Sequence, residues 1–240
     1  MGYLYVSENY ENSNNIIYIR ENLSPTIFKQ VEHCVSANKF RVLLSFLQTN
    51  DLPAFVNDEI IDKIADVIAI AYKYQFFAKR LKFSSLNSID RDLLITSLIS
   101  ADLMDDKRYI RSKIDKISQT AIDGVFNFRL KPLKRKWEEI CSYVPEFFTA
   151  RELKDFTMYL INERKGKRIY IDGNNAFDKA GNKLNKSTLL PNVHFSLFKE
   201  ILISSANSIE IKSLPTDVEE LNYINEYFGD KILFKSSENL

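Results

Sequence analysis

The spacing of the apolar residues changes near Gly166, and this change limits the folds that the chain can adopt. Before Gly166 the apolar residues recur at helical spacing, most clearly in one run: Ile60, Ile61, Ile64, Val67, Ile68, Ala71 and Tyr72. After Gly166, "RIYID" and "SIEIKS" alternate as half-buried strands do. We therefore predict an α+β fold, with a mostly α-helical N-terminal and central part and a small C-terminal α/β part.

A capping box marks the last helix before this change. Thr149 and Glu152 have the spacing of a capping box, and Gly166 is a natural helix stop. Beyond it, we predict a small sheet covered by helices, in the order β-β-α-β-α-β. The domain boundary is placed here, so that residues 1–165 form a mainly helical region and residues 166–240 form a small α/β region packed against it.

Two short strands and a helix are predicted at the N-terminus. The β-favouring residues at Tyr3 to Tyr5 and at Ile17 to Ile19 flank a polar stretch that is typical of a turn. Ser24 suits the cap of a helix and Pro25 suits its first position. The apolar residues that follow at helical spacing extend this helix to Val35.

Composition and charge favour a cytoplasmic protein. The formal net charge over 240 residues is +1, so no field of the whole protein attracts nucleic acid or a membrane. The first residues lack the basic and apolar parts of a signal peptide, and no apolar run is long enough to span a membrane. Cys34 and Cys141 have no partner at metal or redox spacing, and we expect free, buried thiols.

The chemical motifs of common enzymes are absent from the sequence. It contains no glycine-rich phosphate loop and no zinc-binding pattern, and Asp178 lies in a hairpin turn that lacks the spacing of a calcium loop. His33 and His194 lie near apolar residues in predicted helices, where a structural role is favoured over catalysis. We therefore predict no catalytic residue, no cofactor and no metal site, which favours a protein that is not an enzyme.

A basic segment is the main candidate site for binding an anion or a partner. Pro132 should begin a helix that places Trp137 in the core. Glu138 and Glu139 lie four residues after two of the basic residues and partly neutralise the segment, which supports a structural interpretation. The candidate residues are Arg129, Lys131, Lys134, Arg135 and Lys136.

The same segment also supports a functional interpretation. Arg129, Lys131 and Lys136 have no such local partner, and cations at the start of a helix oppose its dipole. A locally unfavourable arrangement of this kind suggests an anion or nucleic-acid site, or a buried ion pair made by Arg129. The sequence leaves these alternatives open.

Four stretches, in order, resemble one protein family. "GVFNFRLK" (residues 124–131) is similar to the G-F-x-x-F-R-L-K stretch of the YtxC-like family, and "FTARELKDFTMYLI" resembles the E-Y-x-E-F-I-x-L-L-x-Y-F-V helix of that family. "IYIDGNNAFDKAGNKL" resembles its strand pair ending near an Asp-x-x-Gly turn. "FKEILISSANSIEIKS" resembles E-D-L-L-I-S-x-L-I-T-x-A-P-x-x-I-x-x-H, with Asn207 in place of the proline and Ser213 near the histidine.

The resemblance extends over Arg91 to Phe234 and implies a context. The YtxC-like proteins are associated by name with sporulation in endospore-forming bacteria, without an established activity, and supply no catalytic residues. We therefore predict a sporulation-associated cytoplasmic protein that acts by binding a protein partner. The alternative is a nucleic-acid or phosphate-ligand binding protein that uses residues 129–136. The sequence does not determine the oligomeric state.

Overall fold

A computed structural model describes residues 4–47, 53–83, 85–164 and 166–234, without the side chains of Phe28 and Gln30. Helices interrupted by four short strands make up the part before residue 144. In chain order these elements are β1 (Leu4–Asn9), α1 (Ser13–Glu21), α2 (Pro25–Gln30), β2 (Glu32–Ala37), β3 (Arg41–Leu47), α3 (Ala54–Val67), α4 (Lys73–Arg80), α5 (Ser88–Ala101), α6 (Leu103–Arg111), β4 (Gln119–Ala121), α7 (Ile122–Gly124) and α8 (Lys131–Tyr143). π-helical turns join α3 to α4 (Ile68–Tyr72) and α7 to α8 (Val125–Arg129).

Strands and helices alternate in the remainder of the chain. These elements are α9 (Ala150–Glu163), β5 (Arg168–Asp172), β6 (Asn175–Phe177), β7 (Lys183–Leu184), α10 (Ser196–Ile203), β8 (Ser208–Ser213), α11 (Val218–Phe228) and β9 (Ile232–Phe234). The chain is therefore a mixed α/β protein rich in helix, as predicted, with two small mixed sheets.

The predicted order of elements along the C-terminal part lacks one strand, because β7 follows β6 before the first helix. The carboxylate of Asp178 accepts hydrogen bonds from the backbone amides of Ala180 and Asn182, at 2.8 and 2.9 Å. This closes a turn that returns the chain along β6, where Lys183 pairs with Phe177. The hairpin turn predicted at Asp178 is confirmed.

The chain divides into two compact units, each built from two separate stretches. One comprises Met1–Phe76 and Leu103–Tyr143, and the other comprises Phe77–Asp102 and Val144–Leu240. The division into two folding domains, residues 1–165 and 166–240, stays a prediction. Within the described ranges, each helix is too short or too polar to cross a lipid bilayer.

The first unit contains a sheet with the strand order β2-β3-β1-β4. β3 pairs antiparallel with β1 and with β2, whereas β4 pairs parallel with β1. The apolar helical face predicted from the sequence lies on α3 and the π-helical turn after it. All seven of its residues are buried, which confirms this prediction: Ile60, Ile61, Ile64, Val67, Ile68, Ala71 and Tyr72.

One of the two predicted N-terminal strands is wrong. The prediction at Tyr3 to Tyr5 corresponds to β1, although Tyr3 is outside the described residues. The residues Ile17 to Ile19 instead belong to α1. In a strand, Ile17 and Ile19 would share a face, but here Ile17 is 44% exposed while Ile16 and Ile19 are fully buried.

The helix that begins at Pro25 is shorter than predicted. It ends at Gln30, and Val35 lies in β2, where it pairs with Leu44 of β3. The burial of β3 alternates along its seven residues, as expected for a strand with one core face. The extension of the helix to Val35 is therefore wrong, because pairing with a strand outweighs the local helical pattern.

The second unit contains a sheet with the strand order β7-β6-β5-β8-β9. β8 pairs parallel with both β5 and β9, whereas β6 pairs antiparallel with both β5 and β7. Ile169 and Ile171 of β5 and Ile209 and Ile211 of β8 are buried. Phe198 of α10 is also buried, and its ring lies near three aromatic rings of α11: Tyr223, Tyr227 and Phe228.

The capping box at the start of α9 is confirmed. The hydroxyl oxygen of Thr149 accepts a hydrogen bond from the backbone N–H of Glu152 at 3.2 Å. The Glu152 carboxylate accepts one from the backbone N–H of Thr149 at 2.7 Å. Two of the unpaired amides at the start of the helix are thereby satisfied by local residues alone.

Candidate binding cleft

The strongest candidate site is a cleft of about 370 Å³ in the first unit. It is lined by the edge strand β4, by the residues before that strand, and by the π-helical turn Val125–Arg129. The volume is in the range of small ligand pockets, roughly 300–1,000 Å³. Among the described lining residues, two are cationic, Lys116 and Arg129, and none is a carboxylate.

The sequence "GVFNFRLK" forms one side of this cleft. A Cβ atom at Gly124 would lie 3.4 Å from the Cβ atom of Ala121 in β4, which is close to ordinary van der Waals contact, so the turn lies next to the end of the strand. The π-helical turn that follows ends at Arg129, and Leu130 is the capping residue after it. Pro132 then lies in the first turn of α8, where its missing N–H is tolerated, as predicted.

The two phenylalanines of this stretch have opposite environments. The ring of Phe126 lies between those of Tyr72 and Trp137, with centroid distances of 4.7 and 5.9 Å. Phe128, in contrast, is 79% exposed and lines the cleft. An exposed aromatic ring beside a cleft is an apolar surface that a ligand can cover.

Arg129 lies at the surface of the cleft. Its Nη1 donates a hydrogen bond to the backbone carbonyl of Lys113 at 3.3 Å, and its side chain is exposed. The alternative in which Arg129 is buried against a carboxylate is therefore wrong. The bond to the Lys113 carbonyl leaves other guanidinium N–H groups able to bind an anion.

Besides Arg129, two more of the five predicted basic residues make contacts within the protein. Lys136 Nζ lies 2.7 Å from the Asp106 carboxylate. Lys134 Nζ donates to the Asn127 carbonyl at 3.3 Å and lies 4.8 Å from the centroid of the Phe126 ring, as a cation–π contact. The structure brings only Arg129 into the cleft lining, while Lys131 and Arg135 are exposed outside it.

A buried ionic cluster lies beneath this segment. Lys73 and Asp106 are both fully buried, and Lys73 Nζ is 2.7 Å from Asp106 Oδ2. The same oxygen accepts a hydrogen bond from Trp137 Nε1 at 2.8 Å, and Lys73 Nζ lies 5.6 Å from the Trp137 ring centroid. The prediction that Trp137 lies in the core is confirmed. Asp106 of α6 contacts both Lys73 of α4 and Trp137 of α8.

A second polar cluster, to which no sequence pattern points, is centred on Glu8 of β1. Glu8 is fully buried, and its carboxylate accepts hydrogen bonds from Tyr72 at 2.8 and 2.9 Å and from Asn15 at 3.2 Å. Burial raises the pKa of the Glu8 carboxyl, although the hydrogen bond from Tyr72 acts in the opposite direction. Nearby, Arg41 makes a two-pronged bond to Asp123, with distances of 3.1 and 2.9 Å.

The raised pKa of Glu8 predicts a pH-dependent effect of the substitution Glu8→Gln. The folded protein binds this proton more tightly than the unfolded chain, whose ordinary pKa is 4.5. The stability that Glu8 contributes is therefore fully present below pH 4.5 and is lost as pH rises through the folded-state pKa. Glutamine has no such titration. The free energy of unfolding of E8Q, measured with urea, should therefore increase relative to that of wild type as pH rises from 4.5 towards neutral. A stability difference that stays constant with pH would contradict this.

The histidines and cysteines are not in the environments that the sequence predicts. His33 lies half-buried in β2, where Nδ1 is 3.1 Å from the Val31 carbonyl, and His194 is exposed before α10, so neither is in a helix. Cys34 and Cys141 are free thiols as expected. Cys34 is exposed and Cys141 is half-buried, so their predicted burial is wrong. Within the described ranges, no cluster of three or more His, Cys, Asp or Glu side chains is placed to hold a metal ion.

Comparison with known proteins identifies no relative of this chain. The chain matches no protein-family model, no curated protein and no solved structure. The similarity to the YtxC-like stretches therefore stays a prediction from the sequence. The cleft and the charges around it are therefore the features of the structure that bear on function.

Proposed function

We propose that this chain is a non-enzymatic binding protein and that an extended, acidic segment of a partner protein binds in the cleft of the first unit. One observation carries the proposal. The cleft combines an edge strand, β4, with the cations Arg129 and Lys116, and its described lining includes no carboxylate. An edge strand offers backbone hydrogen bonds to an extended chain, and the cations select for acidic side chains.

The backbone of β4 has the orientation that strand addition needs. The Ser118 carbonyl accepts a hydrogen bond from the Tyr5 amide at 2.8 Å and therefore faces β1. Because successive residues of a strand direct their backbone groups to opposite sides, the N–H and C=O of Gln119 face away from β1. Gln119 also lines the cleft. A peptide strand in the cleft would pair with this residue while the Phe128 ring covers an apolar side chain.

Peptides of alternating valine and aspartate test this proposal. We expect an Asp-Val hexapeptide to bind the full chain at low salt and its Asn-Val counterpart to bind much more weakly. Arg129→Ala should lower the affinity for the aspartate peptide by roughly tenfold, since a hydrogen bond to a charged group contributes about 1.5 kcal/mol. Isothermal titration calorimetry measures both effects.

Arg135→Ala is the matched control, because Arg135 is exposed in α8 but lies outside the cleft lining. It should leave peptide affinity nearly unchanged. Equal binding of the two peptides, equal losses in the two arginine variants, or no binding at low salt would each contradict the proposal.

Nucleic-acid or phosphate binding by residues 129–136 is the second candidate. It is supported by the exposure of Arg129, Lys131 and Arg135, next to the exposed ring of Phe128. Labelled duplex DNA and single-stranded RNA should then bind with an affinity that falls steeply with salt, by about 0.9 log unit per phosphate contact on DNA for each tenfold increase in salt. Arg135→Ala should weaken this binding, unlike peptide binding. An absence of binding at low salt would rule the candidate out.

A sporulation role in the cytoplasm is a further part of the proposal. It is supported by the ordered sequence similarities and by nothing in the geometry of the cleft. Deletion of the gene in the source organism, followed by counting heat-resistant spores, tests it. We expect fewer such spores. An unchanged count without a conditional defect would contradict the role.

A further inference from the structure

The other edge of the first sheet is an exposed strand without the usual protection. β2 pairs with β3 in an unbroken register from Glu32 opposite Leu47 to Ala37 opposite Val42. Its other side is the edge of the sheet, and the residues from Cys34 to Ala37 are exposed. Natural proteins usually protect such an edge with charged side chains, above all lysine, or with proline or a bulge. The six residues of β2 include no lysine, proline or bulge, and the one carboxylate, that of Glu32, lies at the first position.

The backbone of β2 directs alternate residues towards this free edge. The Asn38 amide donates a hydrogen bond to the Arg41 carbonyl at 2.9 Å at the end of the β2–β3 hairpin. Hydrogen-bonded pairs recur at every second residue of an antiparallel ladder, so the even-numbered residues of β2 bond to β3. The backbone groups of His33, Val35 and Ala37 therefore face away from β3.

Val35 lies on the core side of the sheet, but neighbouring residues bury its side chain only in part. It is opposite Leu44, which is fully buried, and residues opposite each other in a ladder share a face. Val35 is nevertheless 40% exposed. An apolar side chain on the core side of an exposed edge is stabilised when a further strand continues the sheet past it.

We propose that β2 pairs antiparallel with β2 of a second copy of this chain, with Val35 opposite Val35. The three outward-facing residues are spaced symmetrically about Val35, so His33 of one copy is opposite Ala37 of the other. Each of these pairs is of the hydrogen-bonded type. A two-fold axis perpendicular to the sheet keeps the core sides of both copies on the same face, where the two Val35 side chains are in contact.

Charge also favours a second copy in this register. Glu32 is the one acidic residue of β2, and it lies at the start of the strand. Antiparallel pairing separates the two Glu32 side chains and places each one opposite Asn38 of the other copy, next to the exposed Lys39. A parallel arrangement would instead place the two Glu32 side chains side by side, which is unfavourable.

A charge-exchange experiment at Val35 tests this dimer. Sedimentation equilibrium of the full chain should give twice the chain mass of 28.0 kDa. Val35→Lys and Val35→Glu should each give the monomer mass, because like charges would then lie directly opposite each other. An equimolar mixture of the two variants should recover a dimer, and native mass spectrometry should identify it as containing one copy of each.

A second measurement checks the register without depending on the charged variants. In a Cys141→Ser background, Ser36→Cys places the new thiol opposite Cys34 of the other copy as a non-hydrogen-bonded pair, about 4.5 Å apart at Cα, which is within disulfide range. Mild oxidation should cross-link this variant much faster than the background, in which Cys34 faces serine. A monomeric wild type, charged variants that remain dimers, a mixture of folded variants that does not recover a dimer, or equal cross-linking of the two thiol variants would each overturn the proposal.

Discussion

The substitution Asp106→Ala is expected to lower the free energy of unfolding by about 3–5 kcal/mol, which is typical when one partner of a buried ion pair is removed. Asp106 and Lys73 are both fully buried, so the substitution removes the Asp106 carboxylate from beside an ammonium group in the core. It also removes the acceptor of the Trp137 indole N–H. Urea unfolding followed by the fluorescence of Trp137, the single tryptophan, measures the effect.

The neighbouring residue supplies the control. Asp105 makes an ion pair with Arg108 at 3.1 Å, but these side chains are 69% and 80% exposed. Because exposed pairs contribute about 0–1 kcal/mol, Asp105→Ala should change stability little. If the two alanine variants were equally stable, the buried pair would not have the role that its geometry indicates.

A double substitution separates the missing charge from the missing side chain. Asp106→Leu combined with Lys73→Met replaces the pair with apolar residues of similar size, and such replacements are often neutral or stabilising. The double variant should therefore be more stable than Asp106→Ala. Lys136, whose side chain is 41% exposed, can return its charge to water. A double variant no more stable than Asp106→Ala would show that the cost arises from packing.

The substitution Phe198→Ala should have a comparable effect in the second unit, about 3–5 kcal/mol, since that is the usual cost of truncating a buried phenylalanine. Phe198 is fully buried, and its ring centroid lies 5.1 Å from that of Tyr227 and 6.5 Å from that of Phe228. Alanine removes these ring contacts and leaves a cavity between α10 and α11. Denaturant unfolding followed by circular dichroism measures the loss.

Phe147→Ala is the matched control for this prediction. Phe147 belongs to the same unit but is 75% exposed, so removal of the ring takes little apolar surface out of the core. Its effect on stability should be small, within about 0.5 kcal/mol. Similar losses in the two variants would mean that the ring cluster around Phe198 contributes no specific packing.

The sequence predicts the candidate site only in part. Arg129 does line the cleft, and the segment "GVFNFRLK" does form one of its sides. Lys136 instead contacts the buried carboxylate of Asp106. Local spacing cannot predict this pair, because the two residues are 30 positions apart in the sequence. The cluster around Glu8 could not be predicted for the same reason, because its partner Tyr72 is 64 positions away.

The sequence by itself determined the features whose partners are close along the chain. These include the capping box of α9 and the apolar face of α3, which depend on residues three or four positions apart, and the position of Pro132 in the first turn of α8, which depends on the proline ring itself. Only the tertiary structure decided which short apolar runs became strands. Val35 lies in a strand because β3 pairs with it, and Ile17 lies in a helix because Ile16 and Ile19 share a buried face. Short runs satisfy either period, and contacts between distant residues make the choice.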